Sequence, residues 1–403
     1  MTRLRSGLER WVPMLAVALM LAGLFGDGVA AEKKVLKIGI LGPMSGPAAQ
    51  WGLELSRGAE LRADEINAAG GLTVGSDVYT IQLVPYDHKA QAAEAITAAN
   101  KLVSQQGVKY IIGNAIGATT SAAQTITEPA KVMFTFISWG AKNLGPQKPY
   151  SFRTDLSGLE VAEPFYRWIK EKHPKIKKIA TISPNDESGK DSNAAIVAAA
   201  RQLGFEVVAD EYYERETKDF YPLLTRVLAR KPDLVDAGNS PGGSAGLLVK
   251  QLHELGYPGA KAWTAGINAD QLVKIAGKEA AEGTWSPWSL NFTGPEAPGP
   301  VREFAGKYQK KYGELPGSSA VANYVTLDVV TKAMQAASTI ETDKVIERLT
   351  TGQYQTLRGP LVIGGKETYG IDRQFLTAVT VSEIRNGQVV DIAQALPKAL
   401  LKK

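Results

Sequence analysis

Short apolar runs alternate along most of the chain with longer segments in which apolar residues recur every three or four positions. The run Val35–Leu41 is mostly apolar, which is typical of a strand buried on both faces. Downstream, Leu55, Ala59 and Ile66 fall on one face of a helix. Because parallel strands need a crossover connection, this alternation predicts an α/β fold of parallel sheets joined by helices.

The alternation of predicted strands and helices occurs in two successive series, and it is followed by two helices and then by strands without helices between them. The first series predicts strands at 79–85, 110–113 and 133–138, and helices at 91–105 and around 121–131. The second predicts helices at 160–172, 191–203, 220–229 and 244–255, with strands at 179–182, 206–213 and 234–237. Helices at 300–312 and 321–337 precede strands at 361–363, 376–384 and 389–390. Two successive series predict two doubly wound sheets, whose ligands bind beyond the carboxyl ends of the strands.

Polar, glycine-rich loops leave these predicted strand ends. Two of them lead into helices, whose free N–H groups and partial positive charge suit a carboxylate or carbonyl. The hydroxyls of Thr119 and Thr120 are as consistent with helix capping as with ligand contact. Trp51 is a core residue unless its loop faces a cleft. The loops are 42–52, 113–121, 138–143, 183–190 and 238–244.

The first residues have the pattern of a secretory signal peptide. Arg3, Arg5 and Arg10 precede the uncharged, mostly apolar run 12–25, and small residues precede Glu32. That run of 14 residues is shorter than the roughly 20 that span a bilayer as a helix. We therefore predict that residues 1–31 are a signal peptide cleaved after Ala31, and that the mature protein is periplasmic and free of a membrane anchor.

Composition narrows the function classes further. The 403 residues include no cysteine, which excludes disulfides, a thiolate metal site, a cysteine nucleophile and a lipid-modified cysteine. Lysine and arginine number 46 against 41 acidic residues, a surplus too small and too scattered for a nucleic-acid footprint.

Catalytic and metal-binding motifs are weak. His88, His173 and His253 lie far apart, without metal-ligand spacing, and no phosphate-binding glycine motif follows a strand. The segment 242–246 matches Gly-x-Ser-x-Gly around Ser244, but no acid lies between Ser244 and His253, which falls on the same predicted helix. We interpret the segment as a glycine-rich helix start and predict no catalytic residue, metal or cofactor. A secreted serine hydrolase using Ser244 is the alternative from another class.

The chain resembles the periplasmic leucine/isoleucine/valine-binding proteins. Each similar segment is weakly specific by itself, but their order and spacing extend over essentially the whole sequence after residue 31. The segments are 36–46, 64–72, 109–113, 137–143, 152–154, 218–220, 304–313 and 358–360.

This resemblance implies a type I periplasmic-binding fold, in which two lobes joined by three hinge crossovers close on a ligand in a central cleft. It also implies a monomer that delivers the ligand to the permease subunits of an ABC importer. We expect crossovers near Thr154, Ser289 and Gln374. Lobe 1 would then comprise 32–154 and 290–373, and lobe 2 would comprise 155–289 and 374–403, including the C-terminal tail.

The resemblance also implies where the ligand binds, and several matching positions depart from the amino-acid-binding pattern. The serine and threonine that bind the α-carboxylate in the family correspond to Gly117 and Lys142, and the acid that pairs with the ammonium corresponds to Gly266. Two family tyrosines correspond to Ser188 and to Ser240 or its neighbour, whereas the first-loop aromatic is kept. The candidate ligand-binding residues are Ser45, Trp51, Gly117, Ala118, Thr119, Trp139, Gly140, Lys142, Ser188, Ser240 and Gly266.

These departures favour an aliphatic or aromatic monocarboxylate without an α-amino group. A buried ammonium that lacks an acidic partner is strongly disfavoured. Asp186, Glu187 or Asp270 could replace the usual acid, so a branched-chain or other apolar amino acid stays open. Lys142 is as consistent with a solvated lysine at the edge of a lobe as with a carboxylate partner.

Overall fold

The computed structural model describes residues 33–46, 48–264, 269–287, 292, 297–397 and 400, without the side chains of Glu187 and Asp270. The predicted signal peptide, Gly266 and Ser289 lie outside these residues.

Strands and helices alternate from the start of the described chain. The first series is β1 (Lys34–Gly42), α1 (Ala49–Ala68), β2 (Leu72–Val74), β3 (Asp77–Asp87), α2 (Ala92–Asn100), β4 (Tyr110–Ile112), α3 (Gly117–Thr127), β5 (Met133–Phe136) and β6 (Ser151–Arg153). A π-helical turn, Lys101–Gln105, extends α2.

The second series repeats the alternation. It consists of α4 (Gly158–Lys172), β7 (Lys178–Pro184), α5 (Glu187–Gln202), β8 (Glu206–Tyr213), α6 (Tyr221–Leu228), β9 (Leu234–Asp236), α7 (Gly242–Glu254), β10 (Ala260–Ala262), α8 (Ala269–Ala276), α9 (Lys278–Ala281) and β11 (Thr284–Ser286).

The last part mixes helices with antiparallel strands. It consists of α10 (Gly299–Tyr312), α11 (Ser318–Ala337), α12 (Thr342–Thr351), β12 (Gln353–Thr356), β13 (Gly359–Gly364), α13 (Lys366–Tyr369), β14 (Gln374–Thr377), β15 (Val379–Arg385) and β16 (Gln388–Ala395).

The described strands form two sheets with the same central topology. The first has the order β12-β13-β14-β6-β5-β4-β1-β3-β2 and the second the order β16-β15-β11-β10-β9-β7-β8. In the first sheet β1 lies between β3 and β4, and in the second sheet β7 lies between β8 and β9. All four of these strand pairs are parallel. The predicted α/β architecture of two doubly wound sheets is therefore confirmed. Each sheet has a topological switch point, at β1/β4 and at β7/β9.

One predicted strand is wrong. The predicted strand 376–384 is divided at Ala378 into β14, which pairs with β6 and β13 in the first sheet, and β15, which pairs with β11 and β16 in the second. The third passage between sheets therefore lies at Ala378, after the position near Gln374 expected from the sequence. Buried apolar residues lie on both sides of Ala378, Leu376 in β14 and Val379 in β15, so the pattern has no signal at the point where the chain changes sheets.

Helix α11, in the last part of the chain, packs against the core of the first lobe. Fourteen of its residues are buried, including Leu327, Val329 and Val330 in the core cluster around β1 and α1. At Gly58 of α1 the two helices approach so closely that a Cβ would lie 2.0 Å from the carbonyl oxygen of Ala320. This contact joins backbone to backbone, so no side-chain rotation can relieve it.

We predict that Gly58→Ala destabilises the protein by about 1–3 kcal/mol, because the added methyl group would push α1 away from α11. Urea unfolding measures this difference. Gly306→Ala in α10 is the matched control: Gly306 is exposed and has no atom within 4 Å of an added Cβ. The control should gain up to about 1 kcal/mol from helix propensity. Equal stabilities of the two variants would contradict the close-packing account.

Candidate functional site

The polar loops of the first lobe leave the carboxyl ends of β1, β4 and β5, which are neighbours in the sheet. In the first of these loops, the Ser45 hydroxyl donates to the Asp87 carboxylate, which also accepts the N–H groups of Met44 and Lys89, each at 2.8 Å. Burial opposes ionisation of Asp87, but these hydrogen bonds outweigh it and hold its pKa below the usual range. Ser45 is therefore part of a fixed turn.

The aromatic side chain of this first loop stands at the surface. Trp51 lies in the first turn of α1 and is 42% exposed, which is unusual for tryptophan in a chain with such large cores. Gly52 lets the helix approach the preceding loop, since a Cβ there would lie 2.1 Å from the Pro43 carbonyl oxygen.

The second loop is organised around a buried asparagine that the sequence analysis missed. Asn114 has a φ of 98°, and its Oδ1 accepts from His88 Nε2 and from the Thr119 hydroxyl, both at 3.0 Å. Burial disfavours the charged imidazole and lowers the pKa of His88. Thr119 is fully buried, so its hydroxyl stabilises the loop. The first residues of α3, Gly117 and Ala118, are partly buried and exposed, respectively.

The third loop contains Trp139, Gly140 and Lys142. Lys142 is exposed on a short 3₁₀ turn, Ala141–Asn143, whereas Gly140 is buried, and a Cβ there would lie 2.7 Å from Asn143 Oδ1. Asn143 Nδ2 donates to the Gly117 carbonyl at 3.2 Å, which joins the second and third loops. Trp139 is half-buried and packs against the core cluster of the second lobe. The structure therefore brings Gly117, Gly140 and Lys142 together at one sheet edge.

The corresponding edge of the second lobe begins with Asp186 and Ser188. Asp186 caps α5 by accepting the Gly189 N–H at 2.9 Å, and it forms an ion pair with Arg215. Burial opposes its ionisation, but the hydrogen bonds of Arg215 and Gly189 lower the pKa. The Ser188 hydroxyl donates to Asp186 at 3.0 Å and accepts from Asn239 Nδ2 at 3.3 Å. Ser188 thus links the loops after β7 and β9.

A buried carboxylate, also missed by the sequence analysis, holds two further loops. Asp236 Oδ1 accepts the N–H groups of Gly238 and Thr264 at 2.8 and 3.0 Å, and Oδ2 accepts the Tyr166 hydroxyl at 2.6 Å. Ser240 is buried, and its carbonyl accepts the indole N–H of Trp263 at 2.9 Å. Gly266, a predicted site residue two positions after Thr264, lies outside the described residues.

Ser244 and His253 do not form the serine–histidine pair of a serine hydrolase. It occupies the third position of α7, and His253 lies nine residues further along the same helix, a rise of about 13 Å. The glycine pattern has a packing explanation, because a Cβ at Gly246 would lie 2.8 Å from Ile275 Cβ of α8. In the described part of the chain, no group of three histidine or acidic side chains could hold a metal ion.

The polar residues that the sequence analysis missed are fully buried. Asn114, Arg153 and Asp236 are polar residues at or just beyond the ends of buried strands. For Asn114 and Asp236 that position was the available signal, since an amide or carboxylate side chain follows the apolar runs 110–112 and 234–235.

Comparisons with known proteins agree with this geometry. The sequence profile of the periplasmic binding protein family matches residues 35–388. A leucine-, isoleucine-, valine-, threonine- and alanine-binding protein of Pseudomonas aeruginosa is 27% identical over 366 residues, covering 89% of this chain and 92% of that protein.

Solved structures share the fold. A leucine-binding protein of Thermotoga maritima matches with a TM-score of 0.74 and 20% identity, covering 90% of this chain and 99% of that one. A solute-binding protein of an ABC transporter from Rhodopseudomonas palustris, in complex with 3,4-dihydroxybenzoic acid, matches with a TM-score of 0.74 and 22% identity, covering 92% and 99%.

None of the helices among the described residues combines the length and the hydropathy of a membrane span. Both sheets carry polar loops at their switch points, and the family profile spans nearly all of the described residues. The chain belongs to the periplasmic binding protein family and has its two-lobed type I fold.

Proposed function

We propose that this protein is the periplasmic receptor of an ABC importer of the branched-chain amino acid type. It acts as a monomer without catalysis, closes its two lobes on a small carboxylate-bearing ligand and hands the ligand to the membrane permease. The observation that carries the proposal is the repeated strand order, which gives each sheet a switch point surrounded by polar loops. The set of candidate ligand residues and the predicted lobe ranges, with the last boundary moved from Gln374 to Ala378, are part of this proposal.

The first lobe supplies groups that suit a carboxylate. The N-terminus of α3 at Gly117 and the 3₁₀ turn at Lys142 are joined by Asn143, and Lys142 is exposed there. A helix N-terminus and a lysine ammonium both favour an anion. We infer that the ligand carboxylate binds between them.

The second lobe gives an argument against an α-ammonium group. Asp186, which could have replaced the missing family acid, is already paired with Arg215 and bonded to Ser188. A carboxylate engaged by a guanidinium is a poor partner for a second cation. This favours an aliphatic or aromatic monocarboxylate, and the Rhodopseudomonas palustris neighbour was crystallised with a dihydroxybenzoic acid.

A branched-chain or other apolar amino acid is the second candidate ligand. It is favoured by the name of the Pseudomonas aeruginosa relative and requires an acid other than Asp186, either Glu187 or Asp270. A serine hydrolase is disfavoured by the separation of Ser244 and His253 along α7.

We expect the exported protein to begin at or near Glu32, because the sequence before it has the pattern of a cleaved signal peptide. Intact-mass analysis of a periplasmic extract measures the mature N-terminus. Recovery of the full-length chain in the membrane fraction would contradict this expectation.

Ligand binding should reduce the radius of gyration, because closure of two lobes around a ligand makes the molecule more compact. A thermal-shift screen of benzoate, 4-hydroxybenzoate, leucine and valine selects the ligand, since binding stabilises the folded state. Small-angle scattering with and without that ligand then measures closure. Ser244→Ala should bind and close like the wild type, whereas the hydrolase alternative requires it to abolish turnover. An unchanged radius at saturating ligand would argue against closure.

Lys142→Met should weaken binding of a carboxylic acid about 10- to 100-fold, because a charge-assisted hydrogen bond contributes roughly 1.5–3 kcal/mol. Calorimetry with benzoate and with leucine measures both affinities. Lys109→Met is the matched control, since Lys109 is exposed just before β4, at the opposite edge of the same sheet. Tight leucine binding by the wild type, or unchanged benzoate binding by Lys142→Met, would rule out the monocarboxylate site.

A further inference from the structure

A fully buried arginine lies behind the third loop of the first lobe. Arg153, the last residue of β6, donates from Nε to the Ser138 carbonyl at 2.8 Å and from Nη2 to the Gly140 carbonyl at 2.6 Å. Nη1 donates to the Tyr369 hydroxyl at 2.8 Å, and the guanidinium lies 5.9 Å from the ring centre of Phe136. One side chain therefore holds two peptide carbonyls on either side of Trp139.

Two other side chains hold the rest of the same loop. Lys148 Nζ donates to the Lys142 carbonyl, and Gln124 Nε2 donates to the Asn143 carbonyl at 2.7 Å. We call Arg153, Lys148 and Gln124 the carbonyl clamp. Between Ser138 and Asn143, four of the six carbonyl groups thus accept a hydrogen bond from a side chain of the clamp.

The clamp determines the direction of the loop's peptide groups. In a planar trans peptide the carbonyl and the following N–H point in opposite directions. The Ser138 and Gly140 carbonyls point to Arg153, so the N–H groups of Trp139 and Ala141 are directed away from it. The same bonds set the backbone from which Lys142 projects.

The guanidinium also contacts the two described places where the chain passes between the sheets. Nη1 lies 3.4 Å from the Ser157 hydroxyl, beside the first passage, and 3.4 Å from Gln374 Oε1, shortly before the third. The Tyr369 hydroxyl donates to Glu160, whose carboxylate also accepts from Ser157 in the capping box of α4. The third loop and these two passages between the sheets therefore contact the same buried guanidinium.

We propose that the carbonyl clamp, with Arg153 at its centre, positions the third loop for ligand binding and so sets the affinity of the site. Arg153 is a positioning residue: it acts through the Ser138 and Gly140 carbonyls and does not touch the ligand. The proposal rests on the carboxylate-receptor function given above. Lysine cannot replace arginine here, because its single ammonium lacks the rigid fork that reaches both carbonyls.

The test compares affinities of folded variants. Calorimetry with benzoate and with leucine, well below each melting temperature, should show Arg153→Lys binding at least about tenfold more weakly than the wild type. Lys148→Met should weaken binding severalfold, and it tests the same clamp if Arg153→Lys does not fold. Gly58→Ala is the stability control, because it lowers the melting temperature at a site remote from the loop and should leave the affinity unchanged.

Tyr369→Phe distinguishes the effect of Arg153 on the third loop from its contact with the passages between the sheets. It removes the phenol oxygen that accepts from Arg153 Nη1 and donates to Glu160, but it keeps the bonds of Nε and Nη2 to both carbonyls. Nη1 retains Ser157 and Gln374 as partners at 3.4 Å, so the affinity should stay within about threefold of the wild type. If Tyr369→Phe weakens binding as much as Arg153→Lys, or if both clamp variants bind like Gly58→Ala, the positioning role is overturned.

Hydrogen exchange distinguishes failure of this proposal from failure of the proposed function. If the wild type binds neither probe, the proposed ligand class is wrong, but the clamp still predicts faster amide exchange in 138–144 of Arg153→Lys and Lys148→Met. Exchange in 234–255 of the second lobe should not change. Equal exchange in 138–144 of the clamp variants and of Gly58→Ala would refute the clamp whether or not a ligand is found.

Discussion

A charge buried within a folded domain must be compensated by hydrogen bonds, and this requirement organises both lobes. Arg153 in the first lobe and Asp236 in the second are fully buried. The guanidinium binds two carbonyls of the loop after β5, and the carboxylate accepts N–H and O–H groups from the loops after β9 and β10. Removing either group would leave buried polar atoms without partners, which costs more than the bonds contribute. In each lobe one buried charged side chain, Arg153 or Asp236, therefore stabilises the loops of the candidate site.

The two lobes share a strand order and also a close contact between the first loop and the helix that follows it. The first strand of each series ends beside a glycine of the following helix, Gly52 in one lobe and Gly189 in the other. A Cβ at either position would lie 2.1 Å from the carbonyl oxygen of the proline that follows or ends that strand. This close approach keeps the first loop of each lobe compact. The switch point between neighbouring loops remains the place where a ligand can meet several of them.

The remaining helices make the first lobe a stable support for its loops. Ion pairs connect α1 to α10 and α11, among them Arg62–Asp328 and Lys307–Glu65, but such partly exposed pairs contribute little individually. The buried face of α11 and the backbone contact at Gly58 dominate, because they exclude water over a large apolar surface.

Hydrophobic periodicity by itself predicted the longer elements of the two α/β series, since buried strands and amphipathic helices leave local patterns. It did not predict the shorter elements β2, β6, β10, α8, α9 and β11. The segment resemblance correctly indicated the family, and the pattern placed the candidate loops at strand ends. Only the tertiary structure decided that 376–384 divides between two sheets at Ala378, because both neighbours bury the same kind of residue. It also decided that Thr119, Ser45 and Asp186 are engaged within their own lobes and that Arg153 holds the third loop. Hydrogen-bond partners distant in sequence leave no periodic signal, because they are selected by the packing of elements that the chain brings together only on folding.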